Sequence, residues 1–194
     1  MTTPVLKPSR LLLMAVIAAL VATVCDANHV HTQTLSYPAP FLFGQSWWVF
    51  PGFVMSFLIM GFAYQWLVVR LPASMPSAAS TAPGDAGAFT EAVTAFALVY
   101  LLSGFGNEEP VLLSVLFYGT FAVRWLATYD RGWLLLLAAI LAVAGMFAEG
   151  TLSALGGVNY RHVDIYYVPW WLGGLYMHGA FALREGMRHI VYRS

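Results

Sequence analysis

Charge is scarce in this chain. Asp, Glu, Lys and Arg make up 9% of its 194 residues, against about 25% in an average soluble domain. With 60% of positions hydrophobic, a water-soluble globule is excluded. Cations and acids balance to a formal net charge of zero, so no basic field exists to attract nucleic acid. Cysteine is almost absent. The single Cys25 cannot close an internal disulfide and carries no redox-compartment information. No internal repeat strong enough to claim is legible.

What the chain does contain is apolar runs. A helix crossing the hydrocarbon layer needs about 20 mostly apolar residues. The sequence predicts such spans near residues 11–27, 47–69, 89–105, 110–127, 133–152 and 165–182. Between the second and third lies 71–87, built of Pro, Ala, Ser and Gly with one acid, which reads as a flexible cytoplasmic linker. The first apolar run follows Lys7 and Arg10 as in a signal peptide. However, Ala22-Thr23-Val24-Cys25 before Asp26 is neither a small-x-small cleavage site nor a good lipidation box, so the run reads as a retained first helix.

Threading these spans through a bilayer puts eight of the nine cations on one side. Lys7 and Arg10 precede the first span, Arg70 follows the second, Arg124 and Arg131 bracket the turn after the fourth, and Arg184, Arg188 and Arg193 close the last. Only Arg161 lands opposite. Short cationic loops stay in the cytoplasm, so the fold class expected is an all-α membrane protein, a single membrane domain forming a six-transmembrane-helix bundle with both termini cytoplasmic. Its membrane is the bacterial inner membrane, or the endoplasmic reticulum in a eukaryote. Trp47, Trp48, Trp66, Trp125, Trp133, Trp170 and Trp171 crowd the span boundaries, as interfacial anchoring requires.

On the side away from the cations gather Asp26, His29, His31, Glu108, Glu109, Glu149, Arg161, His162 and Asp164. Imidazoles and carboxylates at a membrane face can hold a metal, so a small metal-dependent intramembrane hydrolase is one alternative. Against it, His29 and His31 stand two apart without the helical partner of an H-E-x-x-H site. Glu108 and Glu109 sit at a helix N-terminus, where the macrodipole favours each by about 0.3–1 kcal/mol. A transporter is the other alternative, and it would show repeats and broken helices. Glu149, the acid deepest in a span, reads equally as a boundary residue and as a polar anchor in a cavity. His178 reads as an interhelical hydrogen-bond donor, and Asp130 as the cap of the fifth helix.

The run Trp47-Trp48-Val49-Phe50-Pro51, followed by Gly61 and Tyr64, resembles the second transmembrane segment of Insig proteins, the endoplasmic-reticulum regulators of sterol synthesis. The Tyr129-Asp130-Arg131 turn is similar to that family's Phe-Asp-Arg turn. Asp164, Tyr167, Trp171, Leu172, Gly179 and Arg188 keep the spacing of its last span. The resemblance covers most of the chain from Gln45 onward, with departures: a single displaced Trp125, a short linker for the family's long charged loop, and an earlier Pro169. It implies a distant bacterial-type relative.

It further implies a non-catalytic protein without cofactor that holds a neutral, hydroxyl-bearing lipid of the sterol or diacylglycerol class between its helices. Asp130, matching the family's partner-binding Asp, would meet a membrane-protein partner. For the lipid, the candidates are Trp48, Tyr64 and Tyr118 as cavity lining, with Gln45 and Glu149 facing the head group. Small residues on the fifth span (Ala138, Ala142, Gly145) suit a homo-oligomer.

Overall fold

The structure, a computed structural model, describes residues 6–70, 82–128 and 130–192. Six α-helices are found among them, and two dipeptide strands. Helix α1 (Pro8–His31) begins on a proline, whose missing N–H costs nothing in a first turn, and α2 is Val49–Arg70. Helix α3 (Ala86–Phe105) is capped by Asp85, whose carboxylate accepts the Ala88 N–H at 2.9 Å. Helix α4 (Pro110–Ala127) again opens on proline, and α5 spans Arg131–Ala154. Helix α6 (Trp171–Gly186) runs directly into a π-helical turn, Met187–Val191. Strands β1 (Leu35–Ser36) and β2 (Asn159–Tyr160) pair antiparallel.

Helices α1 to α5 are long and apolar enough to cross a membrane. Their outer faces carry bare apolar side chains, such as Leu13, Val24, Val111, Val143 and Phe147, which only lipid can cover without cost. The chain is thus an integral, multi-pass membrane protein. Most of the 71–87 linker expected from the sequence lies outside the described residues, as do Arg193 and Tyr129.

The sixth helix starts later than the expected 165. Residues 165–168 form a tight turn closed by an Ile165–Val168 bridge, with Tyr166 and Tyr167 both at positive φ. That conformation cannot continue into a right-handed helix, so α6 waits until after Pro169.

The structure shows a repeat where the sequence carries none strong enough to claim. Helix α1 maps onto α5 by a constant displacement of 123 positions (8 to 131 and 31 to 154). The same displacement carries the Leu42–Gln45 bridge onto Ile165–Val168. It carries Gln33, Phe43 and Gly44 onto Gly156, Tyr166 and Tyr167, and these six are all the residues with positive φ among those described. Ser36 pairs with its own counterpart, Asn159, so a pseudo-twofold axis passes between them. Two helical hairpins, α1–α2 and α5–α6, therefore face one another. The β1–β2 pairing brings the C-terminal ends of α1 and α5 together at one end of the bundle, and the α3–α4 hairpin packs against α6.

At the opposite end sit Lys7, Arg10, Arg70, Arg124, Arg131, Arg184 and Arg188, all at the helix termini found there. Three features tie that end together. Tyr64 of α2 meets Trp133 of α5 edge-on at 5.2 Å, and the Tyr192 hydroxyl donates to Gln65 at 2.7 Å. Asp130 is buried at 6% exposure against Arg184, which also pairs with Glu185. Asp130 occupies the N-cap position of α5, but its carboxylate takes Arg184 and Thr128 in place of a helix N–H. Arg161, at the other end, forms a two-pronged ion pair with Glu108 of the α3–α4 turn.

Candidate functional site: a cavity between the hairpins

Between the two hairpins and α3 lies a cavity of about 390 Å³. Glycine and alanine on α5 and α6 (Ala144, Ala148, Gly179, Ala182, Gly186) make one wall, because small side chains leave room where larger ones would fill the gap. Along α6 the lining extends from Leu172 to Gly186, about 21 Å at 1.5 Å per residue, and continues to Ile190 on the π-helical turn. No lysine or arginine lines it among the described residues.

The end of the cavity beside the strands is polar: Glu149, Tyr37, Tyr160 and Tyr176 line it, and Asp26 stands behind Tyr37, an acid–tyrosine pair that the repeat builds twice. Asp26 on α1 and Glu149 on α5 are counterparts, as are Tyr37 and Tyr160 just beyond those helices. Asp26 Oδ2 accepts from the Tyr37 hydroxyl at 2.8 Å and from Gln45 Nε2 at 2.7 Å. Glu149 accepts from the Tyr160 and Tyr176 hydroxyls, both at 3.1 Å. Burial first, and the Asp26 carboxyl second, hold the Tyr37 phenol above its ordinary pKa; burial and Glu149 do the same to Tyr160. Each phenol is influenced by both carboxyls, and both phenols remain protonated donors at neutral pH. His29, 2% exposed, bonds Ser103 Oγ through Nε2 at 2.7 Å and lies against Tyr100.

Of the residues nominated from the sequence, Trp48 and Glu149 line the cavity. Trp48 meets Tyr37 edge-on at 5.6 Å. Gln45 stands behind the lining, fixing Asp26 and the Thr23 carbonyl. Tyr64 and Tyr118 are elsewhere. Tyr64 is fully buried among Trp133 and Tyr192 at the cationic end, because that side of α2 faces α5. Tyr118 is on α4, which contributes nothing to the lining; its hydroxyl reaches out to the Trp170 carbonyl at 3.0 Å.

Tyr37, Tyr160 and Tyr176 are functional candidates that sequence reasoning passed over. The recurrence of an acid followed eleven residues later by tyrosine (Asp26 and Tyr37, Glu149 and Tyr160) was the available signal. The outer cluster does not assemble as a metal set. Among the described residues no three His, Cys, Asp or Glu side chains converge; His29 points to Ser103, and Glu108 to Arg161. Ala138 and Gly145 are buried within the protomer, Gly145 against the Tyr176 ring.

No family model matches this chain, and no curated protein matches it. Solved structures do. The crystal structure of the mycobacterial Insig homologue MvINS from Mycobacterium vanbaalenii aligns over 97% of both chains with a TM-score of 0.79 at 22% identity. A structure of a cross-linked MvINS trimer aligns over 94% of this chain and 95% of that one, at a TM-score of 0.76 and 22% identity. This chain has the fold of an Insig homologue. The six-helix arrangement expected from the cation pattern and the WW-V-x-P resemblance is therefore the observed one.

Proposed function

We propose that this chain is a non-catalytic, Insig-like membrane protein whose cavity holds a neutral, hydroxyl-bearing lipid of the sterol or diacylglycerol class. The observation that carries this reading is the shape and chemistry of the cavity: a long apolar slot closed at one end by the Glu149 carboxyl and the phenols of Tyr37, Tyr160 and Tyr176. Its volume of about 390 Å³ falls within the roughly 300–1,000 Å³ of small-molecule sites. A lipid leaving the bilayer for such a slot gains almost no hydrophobic energy, since both surroundings are hydrocarbon. Shape and hydrogen bonds of about 0.5–1.5 kcal/mol each then select the occupant. A phosphate head would find no cation in the described lining.

The cationic end, with both termini, faces the cytoplasm by the same retention rule that applies to short basic loops. The MvINS trimer supports a homo-oligomer here too. The α4–α5 turn containing Asp130 is the place for a membrane-protein partner. Because the Asp130 carboxylate is turned inward to Arg184, Asp130 serves that contact by shaping the turn.

The repeat favours a second reading, since transporters are built from repeats with the substrate between them. Transporter sites use interrupted helices near the bilayer midplane. Here α1, α2 and α5 run unbroken past the cavity, and Asp26 and Glu149 sit about 7 Å from their helix ends. A holding role fits better. Purified protein, extracted with organic solvent and analysed by mass spectrometry, is expected to yield neutral lipid near one per chain, and Ala148→Phe, which fills the slot, to lose it. An extract of the wild type with no lipid above detergent background would sink this reading.

A further inference from the structure

At the polar end of the cavity, Tyr37, Tyr160 and Tyr176 give their hydroxyl hydrogens to carboxyls. His29 lines the same cavity, one helical turn beyond Asp26. Its protonation follows from its neighbour. Ser103 Oγ donates its one hydrogen to the Tyr100 carbonyl at 2.6 Å. It therefore meets His29 Nε2, at 2.7 Å, as an acceptor, and the imidazole supplies that hydrogen. The ring is buried and makes no ion pair with a carboxylate among the described residues. An imidazolium there would be an uncompensated charge, so the ring is neutral and carries a single N–H. With Nε2 protonated, Nδ1 is a bare acceptor. The Nε2–Cδ2 edge faces α3, since a Cβ on Gly104 would stand 3.2 Å from Cδ2, and Nδ1 is the ring atom opposite that edge. No protein group donates to Nδ1 among the described residues. The repeat sets this position apart. Across the displacement of 123 residues the counterpart of His29 is Leu152, which also lines the cavity. Acid and tyrosine occur in both halves, but the imidazole occurs in one.

We propose that His29 Nδ1 reads the lipid's hydroxyl by accepting its hydrogen, so that a free alcohol is held more tightly than the same lipid with that oxygen alkylated. The proposal rests on the reading of the cavity as a site for a hydroxyl-bearing lipid. It adds the residue that recognises the hydroxyl and the direction of the bond. A methyl ether keeps the oxygen and its lone pairs but brings no hydrogen. It therefore leaves a buried acceptor unmet, which is more costly than never having had one.

The test compares 1,2-dioctanoylglycerol with its 3-O-methyl ether. Each is titrated against the full-length protein in detergent, and the bound fraction is read by native mass spectrometry. The alcohol is expected to bind about tenfold more tightly, from one hydrogen bond and the acceptor it satisfies. In His29→Leu, which copies the Leu152 side of the cavity, the alcohol is expected to fall to the level of the ether. Ether binding is expected to persist, which also shows that the variant is folded. A second measurement needs no variant. In wild-type protein carrying nitrogen-15-labelled histidine, one unprotonated ring-nitrogen resonance is expected to shift with the alcohol and to stay in place with the ether. Equal binding of alcohol and ether to the wild type would overturn the role of His29 and leave the lipid site standing. So would a preference retained in folded His29→Leu, an equal loss of both ligands in that variant, or bound alcohol that moves no such resonance. Failure of both ligands to bind the wild type would remove the lipid site itself.

Discussion

Gly145 shows how much a single missing methyl group decides. A Cβ there would meet the Tyr176 ring at 2.6 Å, and Tyr176 is one of the two donors that hold Glu149. Gly145→Ala is expected to push the ring aside and release that carboxylate. Overpacking of this kind costs about 1–3 kcal/mol, readable as a lower unfolding midpoint in detergent together with reduced lipid in the extract. An unchanged midpoint would mean that α6 shifts freely, contrary to its close seating. At the other end, Asp130 and Arg184 are buried at 6% and 7% exposure. Asp130→Ala takes away one of the two carboxylates that Arg184 meets, Glu185 being the other, so the loss is expected to stay below the about 3–5 kcal/mol of an isolated buried pair. Adding Arg184→Met should then cost less than the sum of the two single losses. Denaturant titration of the four proteins in this cycle measures the coupling, and additive losses would refute it.

Among the elements, α4 and α6 are joined by a polar pin within the membrane. Arg124 can only donate, so His178 Nδ1 accepts from it at 3.2 Å, and the Nε2–H donates to the Phe117 carbonyl at 3.0 Å. This is the interhelical role expected of His178. His178→Leu should cost about 1–3 kcal/mol by orphaning buried partners and loosen α4 while leaving the cavity, which α4 does not line, able to retain lipid. Parallel loss of lipid would show that the two are coupled.

Helices α1 to α5 were legible because length and hydropathy suffice to find them. The start of α6 was not, since Ile165-Tyr166-Tyr167-Val168 reads as one apolar run and nothing in the side chains announces two aromatic residues at positive φ. The site was half legible. Trp48 and Glu149 could be picked as polar or aromatic breaks in apolar helices, but Tyr64 and Tyr118 share that description, and rotation about each helix axis separates the two pairs.

For the molecule as a whole, the end-to-end segregation of cations yields a direct experiment. In a Cys25→Ala background, Val163→Cys is expected to react with an impermeant thiol reagent on intact cells, and Pro83→Cys only after permeabilisation. The opposite pattern would invert the assignment of the cationic end to the cytoplasm. The repeat escaped notice for a related reason: much of what the hairpins share, such as Leu11-Leu12-Leu13 and Leu134-Leu135-Leu136, is the common vocabulary of any membrane helix. Only Trp47-Trp48 with Trp170-Trp171, and Tyr37 with Tyr160, carried a distinctive imprint.

The same duplication bears on how the polypeptide enters the bilayer during synthesis. Asp26 is satisfied by Tyr37 and Gln45, eleven and nineteen residues downstream, and Glu149 by Tyr160 and Tyr176, eleven and twenty-seven downstream. Each acid thus finds two donors inside its own pair of helices. Neither has to wait, exposed to hydrocarbon, for the ribosome to deliver the other half, and the nascent chain can insert one self-sufficient hairpin at a time.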